Sequence, residues 1–148
     1  MAELRELHHA AVAMLARREH SHQELLHKLS SKGHEAALCE QVLQELEAQG
    51  LLCDQRYAEA YVRMRANRGY GPVRIRHELR EKGVSSIIAT AELEQAEVDW
   101  LELAREVRKK RFGDAPPVDF AERAKQMRFL QYRGFSQEQI NFATEGAE

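Results

Sequence analysis

The chain has 148 residues, 43% of them hydrophobic and 31% charged, with a formal net charge of −2. That is the size of one ordinary domain with enough apolar material for a core, and a negative total argues against a wholesale nucleic-acid binder. Two cysteines, Cys39 and Cys53, do not make a disulfide framework. The longest apolar run, Ala10 to Ala16, is too short to span a bilayer. With no signal-peptide core behind Met1-Ala2-Glu3, the expectation is a reduced, cytoplasmic protein.

No alternating strand pattern occurs, and helical periodicity runs throughout. Leu4, Leu7, Ala11, Met14 and Leu15 share one face of a first helix. Ser21 then opens a second, with Glu24 three residues on as a capping box. Leu25, Leu26 and Leu29 form its apolar edge, and Gly33 stops it. A third helix carries Leu38, Cys39, Val42, Leu43 and Leu46 and stops at Gly50, with Cys39 read as a small buried residue. Asp54 is the expected N-cap of the next helix, whose buried edge is Tyr57, Ala58, Tyr61 and Val62. Gly69-Tyr70-Gly71-Pro72 is a tight joint with Pro72 at a first helical position. Ile75 and Leu79 follow, then a helix with Ile87, Ile88 and Ala91 expected to face inward. Asp99 with Glu102 opens a helix bearing Trp100, Leu103, Ala104 and Val107. Gly113 to Pro117 breaks the chain. Asp119 with Glu122 opens a helix with Phe120, Ala124 and Met127 expected inward, and Ser136 with Gln139 opens the last.

One stamp recurs at the ends of three of these helices. Leu29-Ser30-Ser31-Lys32-Gly33, Leu79-Arg80-Glu81-Lys82-Gly83 and Leu130-Gln131-Tyr132-Arg133-Gly134 each place a buried leucine, a cation and a left-handed glycine at a helix end. Many unrelated helices end this way. A spacing of about 50 residues, three times over, marks one unit used three times. The expected fold is all-α: three tandem three-helix repeats, over 1–50, 51–98 and 99–148, forming an elongated, curved helical array.

Charge is segregated along the chain. From Asp54 to Gly83 there are eight Arg or Lys residues against four Asp or Glu. A second basic cluster comprises Arg105, Arg108, Lys109, Lys110 and Arg111. Arg76 and Arg80 are four apart and project side by side from one helix. Arg65 points near the centre of its helix's apolar arc, so its stem is expected to lie on the core with its head extended beyond. A single such arginine is more often a solvated residue than a contact. The cationic middle as a whole suits an anionic partner, either phosphate or an acidic protein surface.

Motifs for chemistry are missing. Six of the seven histidines lie in the first repeat, but none forms His-Glu-x-x-His and no Cys-x-x-Cys accompanies them. There is no phosphate loop and no nucleophile elbow. The expectation is no catalysis, no metal and no cofactor.

The run from Asp54 through Tyr57-Ala58, Tyr61-Val62 and Arg68-Gly69-Tyr70-Gly71-Pro72 to Glu78-Leu79, Lys82-Gly83-Val84 resembles the central signature of the bacterial regulatory protein RecX family. Leu15 to Leu25 with Lys32-Gly33 resembles that family's first repeat, and Phe129-Leu130 through Gly134-Phe135-Ser136 its last. The resemblance covers nearly the whole chain; a histidine-rich first repeat and a compact linker from Gly113 to Val118 depart from it. It implies a non-enzymatic modulator that binds the RecA recombinase filament, bridging subunits in its groove. Beside it stand the expectations of a monomer, of weak non-specific DNA contact and of no membrane. Filament growth, ATPase, strand exchange and coprotease activity would then be inhibited or modulated, in DNA repair and recombination. Charge and facing nominate Arg63, Arg68, Arg74, Arg76, Arg80, Lys109, Lys110 and Arg111 as partner-binding residues. The competing reading is a helical DNA-binding transcriptional regulator, in which a helix of one unit enters a major groove. Net acidity and the lack of an evident base-reading cluster weigh against it.

Overall fold

The computed structural model describes residues 2–145. Among the described residues there are nine α-helices and no strand: α1 Ala2–Arg17, α2 His22–Ser31, α3 Ala36–Ala48, α4 Asp54–Asn67, α5 Pro72–Glu81, α6 Ser86–Gln95, α7 Trp100–Phe112, α8 Phe120–Arg133 and α9 Gln137–Thr144. None is long and apolar enough to cross a membrane. The chain divides into two compact units, residues 1–60 with 79–92, and residues 61–78 with 93–148.

In the first unit, α1, α2 and α3 pack on one another. The predicted apolar stripes meet there: Leu7, Ala11, Leu25, Leu29, Cys39, Val42, Leu43 and Leu46 are all buried in one cluster. Each fully buried leucine contributes roughly 1.5–3 kcal/mol against exposure. Ser21 caps α2 by accepting the Glu24 N–H at 3.1 Å. The reciprocal half of the expected box is not made, because the Glu24 carboxylate pairs with Arg18 at 2.8 Å instead. The Ser21 hydroxyl also donates to the Lys82 carbonyl at 2.7 Å, tying the start of α2 to the end of the second stamp. Ser21→Ala removes both bonds. It should lower the unfolding free energy by about 1–2 kcal/mol in urea denaturation; an unchanged midpoint would contradict the cap.

Two expectations for this unit need correction. Asp54 is not the N-cap of α4 but its first residue, and its carboxylate accepts the His22 N–H at 2.8 Å. It therefore serves a free donor at the start of α2 rather than its own helix. Ile87 is 81% exposed. It precedes the buried Ala89 by two positions, roughly 200° around α6, so the two residues lie on opposite sides.

In the second unit, α7 packs on α9 and α8 joins them. Ala104, Leu130, Phe135, Ile140 and Ala143 form the core. Asp99 and Asp119 cap α7 and α8 by accepting the N–H groups of Glu102 and Glu122. Ser136 and Gln139 complete a full capping box at α9. Phe120, expected inward, is 86% exposed. It is the first residue of α8 and emerges from the largely exposed segment 113–119, before the helix reaches the core at Gln126 and Leu130. Arg108, grouped with the exposed basic cluster from the sequence, is buried; its guanidinium donates to the Gln126 side-chain oxygen and the Ala115 carbonyl, both at 3.3 Å.

The glycines of the stamps adopt left-handed backbone, with φ of 93° at Gly33, 82° at Gly83 and 95° at Gly134. Gly71 has a different reason for lacking a side chain. Its N–H donates to the Arg133 carbonyl at 2.8 Å, and a Cβ there would lie 2.4 Å from the Gly134 oxygen.

Candidate functional site

The Gly-Tyr-Gly-Pro joint brings the start of α5 against the end of α8. Val73 N–H donates to the Gly134 carbonyl at 2.9 Å, and the Arg74 guanidinium donates to the Tyr132 carbonyl at 3.2 Å. Around this joint the basic residues of the second unit are organised by one carboxylate and one ring. Glu78 accepts from Tyr61 Oη at 2.9 Å, from Arg65 Nε and Nη2 at 2.9 Å each, and from Arg74 Nε at 3.1 Å. The bidentate fork from Arg65 is the strong geometry for an arginine–carboxylate pair. Tyr70 lies beneath three guanidinia, those of Arg65, Arg74 and Arg133, with their carbons 3.9, 4.5 and 4.8 Å from its centroid.

Partial burial raises the Glu78 carboxyl, but the hydrogen bonds from Arg65, Tyr61 and Arg74 outweigh it and hold the group below its ordinary value. The same burial, together with the bond to Glu78, pushes the Tyr61 phenol up to about 12. The expectation that Arg65 extends its head beyond the core is therefore wrong. Its head folds back onto Glu78 and Tyr70, where the ion pair and ring contacts replace water.

The eight nominated residues fall into three groups. Arg74 is committed inside the protein, to Glu78, to the Tyr132 carbonyl, and to the rings of Tyr70 and Tyr132. Arg68, Lys110 and Arg111 come together on the wall of one cleft of about 500 Å³, where Arg133 and Phe129 join them. Arg63, Arg76, Arg80 and Lys109 are exposed along α4, α5 and α7 and do not line that cleft. Arg76, Arg80 and Lys109 form no ion pair among the described residues.

Sequence reasoning missed Arg133 and Phe129, reading Arg133 only as a helix-end cation. Tyr70 was read as part of a tight joint, not as the platform for three arginines. The signal was an aromatic between two glycines in an arginine-rich segment, where small neighbours leave the ring accessible to several cations.

His20 and His22 of the first unit have structural partners. His20 is buried; its Nδ1 lies 3.0 Å from the Arg18 carbonyl and its Nε2 accepts from the Lys28 ammonium at 3.0 Å. Burial first, then the nearby cations, holds its pKa below the ordinary value, so the ring is neutral. His22 sits between the carboxylates of Glu40 and Glu47. Arg56, part of the basic middle in sequence, pairs with Glu19 and donates to the Gly50 and Leu51 carbonyls at 3.0 and 3.1 Å, which closes the end of α3. Among the described residues, no group of three or more His, Cys, Asp or Glu is placed to hold a metal ion.

Comparison with known proteins gives the same residues a family. The description "RecX, first three-helix domain" matches residues 8–46, "RecX, second three-helix domain" residues 54–93, and "RecX, third three-helix domain" residues 97–144. The regulatory protein RecX of Halorhodospira halophila (strain DSM 244 / SL1) is 48% identical over 139 residues, covering 94% of this chain and 86% of its own length. That of Pseudomonas entomophila (strain L48) is 43% identical over 138 residues, covering 93% and 89%. Among solved structures, RecX from Lactobacillus salivarius superposes with a TM-score of 0.80 at 24% identity, covering 96% of this chain and 94% of that one, a likeness of fold. A second, titled regulatory protein RecX, has a TM-score of 0.81 at 25% identity, covering 95% and 71%. Three successive domain matches and relatives this close over most of both chains establish that the chain belongs to the RecX family of regulatory proteins.

Proposed function

We propose that this chain is a non-enzymatic regulator that binds the RecA recombinase filament on DNA and restrains it. Filament growth, ATPase, strand exchange and coprotease activity would fall together, because all depend on the assembled filament. The observation that carries the reading is the unbroken succession of three RecX domain matches, supported by relatives named as regulatory proteins. The three-helix domains, read from the sequence as 1–50, 51–98 and 99–148, are the proposed units of contact.

The proposed attachment is electrostatic. Arg63, Arg68, Arg76, Arg80, Lys109, Lys110 and Arg111 are exposed cations, and they would meet acidic recombinase surface or nearby DNA phosphate. Arg74 contributes by holding the α5–α8 joint rather than by direct contact. Because the attraction is between solvated charges, added salt should weaken it. The test is a steady-state ATPase assay with recombinase on single-stranded DNA. Arg76→Glu combined with Arg80→Glu should raise the concentration needed for half-inhibition roughly tenfold or more, with an unchanged melting temperature. Inhibition equal to that of the unaltered protein would remove α5 from the contact surface.

A further inference from the structure

The cleft at the ends of α4, α7 and α8 joins three of those exposed cations to Arg133 and to apolar side chains, a combination that charge attraction alone does not use. Four cations line it: Arg68, Lys110, Arg111 and Arg133. Glu106 is the single carboxylate on its wall, and none of the four cations makes an ion pair among the described residues. The cleft is thus a concentration of positive charge with unspent donors, in a protein whose total charge is −2. Its floor is apolar, formed by Leu103 and Val107, both partly buried against the core of the second unit.

Two of the cations, Arg133 and Arg111, are held in place rather than free to sweep through solvent. Arg133 donates to the Arg68 carbonyl at 3.1 Å and stacks over Tyr70 and Phe129, at 4.8 and 5.5 Å from their centroids. Arg111 lies over Phe129 and Phe112, at 5.6 and 6.0 Å, and those two rings meet edge to face at 5.4 Å. Ring contacts of this kind fix a guanidinium's plane while leaving N–H donors for a ligand, which lowers the ordering cost of binding.

We propose that this cleft binds an acidic peptide segment of a partner protein, seating carboxylates on Arg68, Lys110, Arg111 and Arg133 and an apolar side chain on Leu103 and Val107. Three observations select a peptide over a nucleic acid. A sugar–phosphate backbone offers little to an apolar floor, whereas a peptide supplies carboxylate and hydrocarbon on neighbouring residues. A volume of about 500 Å³ matches a few side chains. Phe129, the aromatic of the cleft, already carries the guanidinia of Arg111 and Arg133 and meets Phe112 edge to face, so its aromatic contacts are made within the protein instead of serving as a base-stacking platform. The inference rests on the reading above that this chain binds another protein, and it names the chemistry of the segment recognised.

The experiment uses the full chain and fluorescence anisotropy. The probes are a short labelled peptide rich in aspartate and glutamate with one central phenylalanine, the same peptide with serine at its centre, and a labelled oligothymidylate. The phenylalanine peptide should bind most tightly. Lys110→Glu with Arg111→Glu should weaken it roughly tenfold or more, and Arg68→Glu, placed in the turn after α4 and not on α7, should weaken it too. Peptide binding indifferent to both variants overturns the proposal. So does tighter binding of the oligothymidylate that is lost in the same variants, which would make the cleft a nucleic-acid site. Recombinase filament binding is measured in parallel with the unaltered protein. Filament binding without peptide binding defeats the cleft alone, whereas peptide binding without filament binding upholds the cleft and defeats the filament reading.

Discussion

Gly134→Ala is expected to lower the unfolding free energy by about 3–5 kcal/mol, far more than the same change at Gly33. Both glycines end a copy of the same stamp and both have left-handed backbone, so both changes carry the conformational penalty of about 1–2 kcal/mol. At Gly33 nothing lies within 4 Å of the added methyl group. At Gly134 the methyl would sit 2.1 Å from the Arg74 Cβ and 2.8 Å from its backbone nitrogen. A collision with backbone cannot be relieved by a rotamer change; α5 would have to separate from the end of α8. Chemical denaturation of the two variants side by side measures the difference, and equal losses would show that the α5–α8 joint is not as close as described.

Removing the carboxylate of Glu78 should be the second large effect. Glu78→Ala leaves Arg65, whose side chain is only 14% exposed, without its fork partner, and takes acceptors from Tyr61 and Arg74. Breaking such a pair from one side destabilises by about 2–4 kcal/mol, allowing for the solvent that still reaches it. The pH dependence has a definite sign. The folded carboxyl titrates below the ordinary value of 4.5, so ionised Glu78 contributes stability above 4.5 and that contribution is lost as pH falls through the folded value. The gap between the unaltered protein and Glu78→Gln in urea should therefore be constant near neutrality and shrink in acid. A gap that grows in acid would contradict the network.

Much of this architecture was legible because helix signals are local. Ser21, Asp99, Asp119 and Ser136 announce helix starts, and the three stamps announce ends, without reference to anything distant. The apolar stripes of α1 to α3 likewise read correctly, since most of each stripe meets the same three-helix core. What failed needed tertiary information. Ile87 and Phe120 are apolar residues at helix starts, where periodicity alone cannot say which side the neighbouring helices cover. Asp54 looks like a cap for the helix it begins, but its carboxylate accepts a free N–H at the start of another helix. Arg108 looked like one more surface cation in a basic run, yet its helix position turns it to Gln126.

The candidate surface was legible as composition rather than geometry. Counting bases located the middle segment and the end of α7. It could not separate Arg74 and Arg65, which neutralise Glu78, from Arg76 and Arg80, which are exposed and form no ion pair among the described residues. Nor could it assemble Arg68, Lys110, Arg111 and Arg133 into one cleft, since they come from the turn after α4, from α7 and from the end of α8, far apart in sequence.

The most direct test of the account is co-sedimentation of this protein with RecA filaments assembled on single-stranded DNA, at low and high salt, beside the same DNA without recombinase. The account predicts binding that requires the recombinase, weakens as salt rises, and drops when Arg76 and Arg80 are both reversed to glutamate. Binding to bare DNA as strong as binding to the filament, or no association with the filament at low salt, would contradict it.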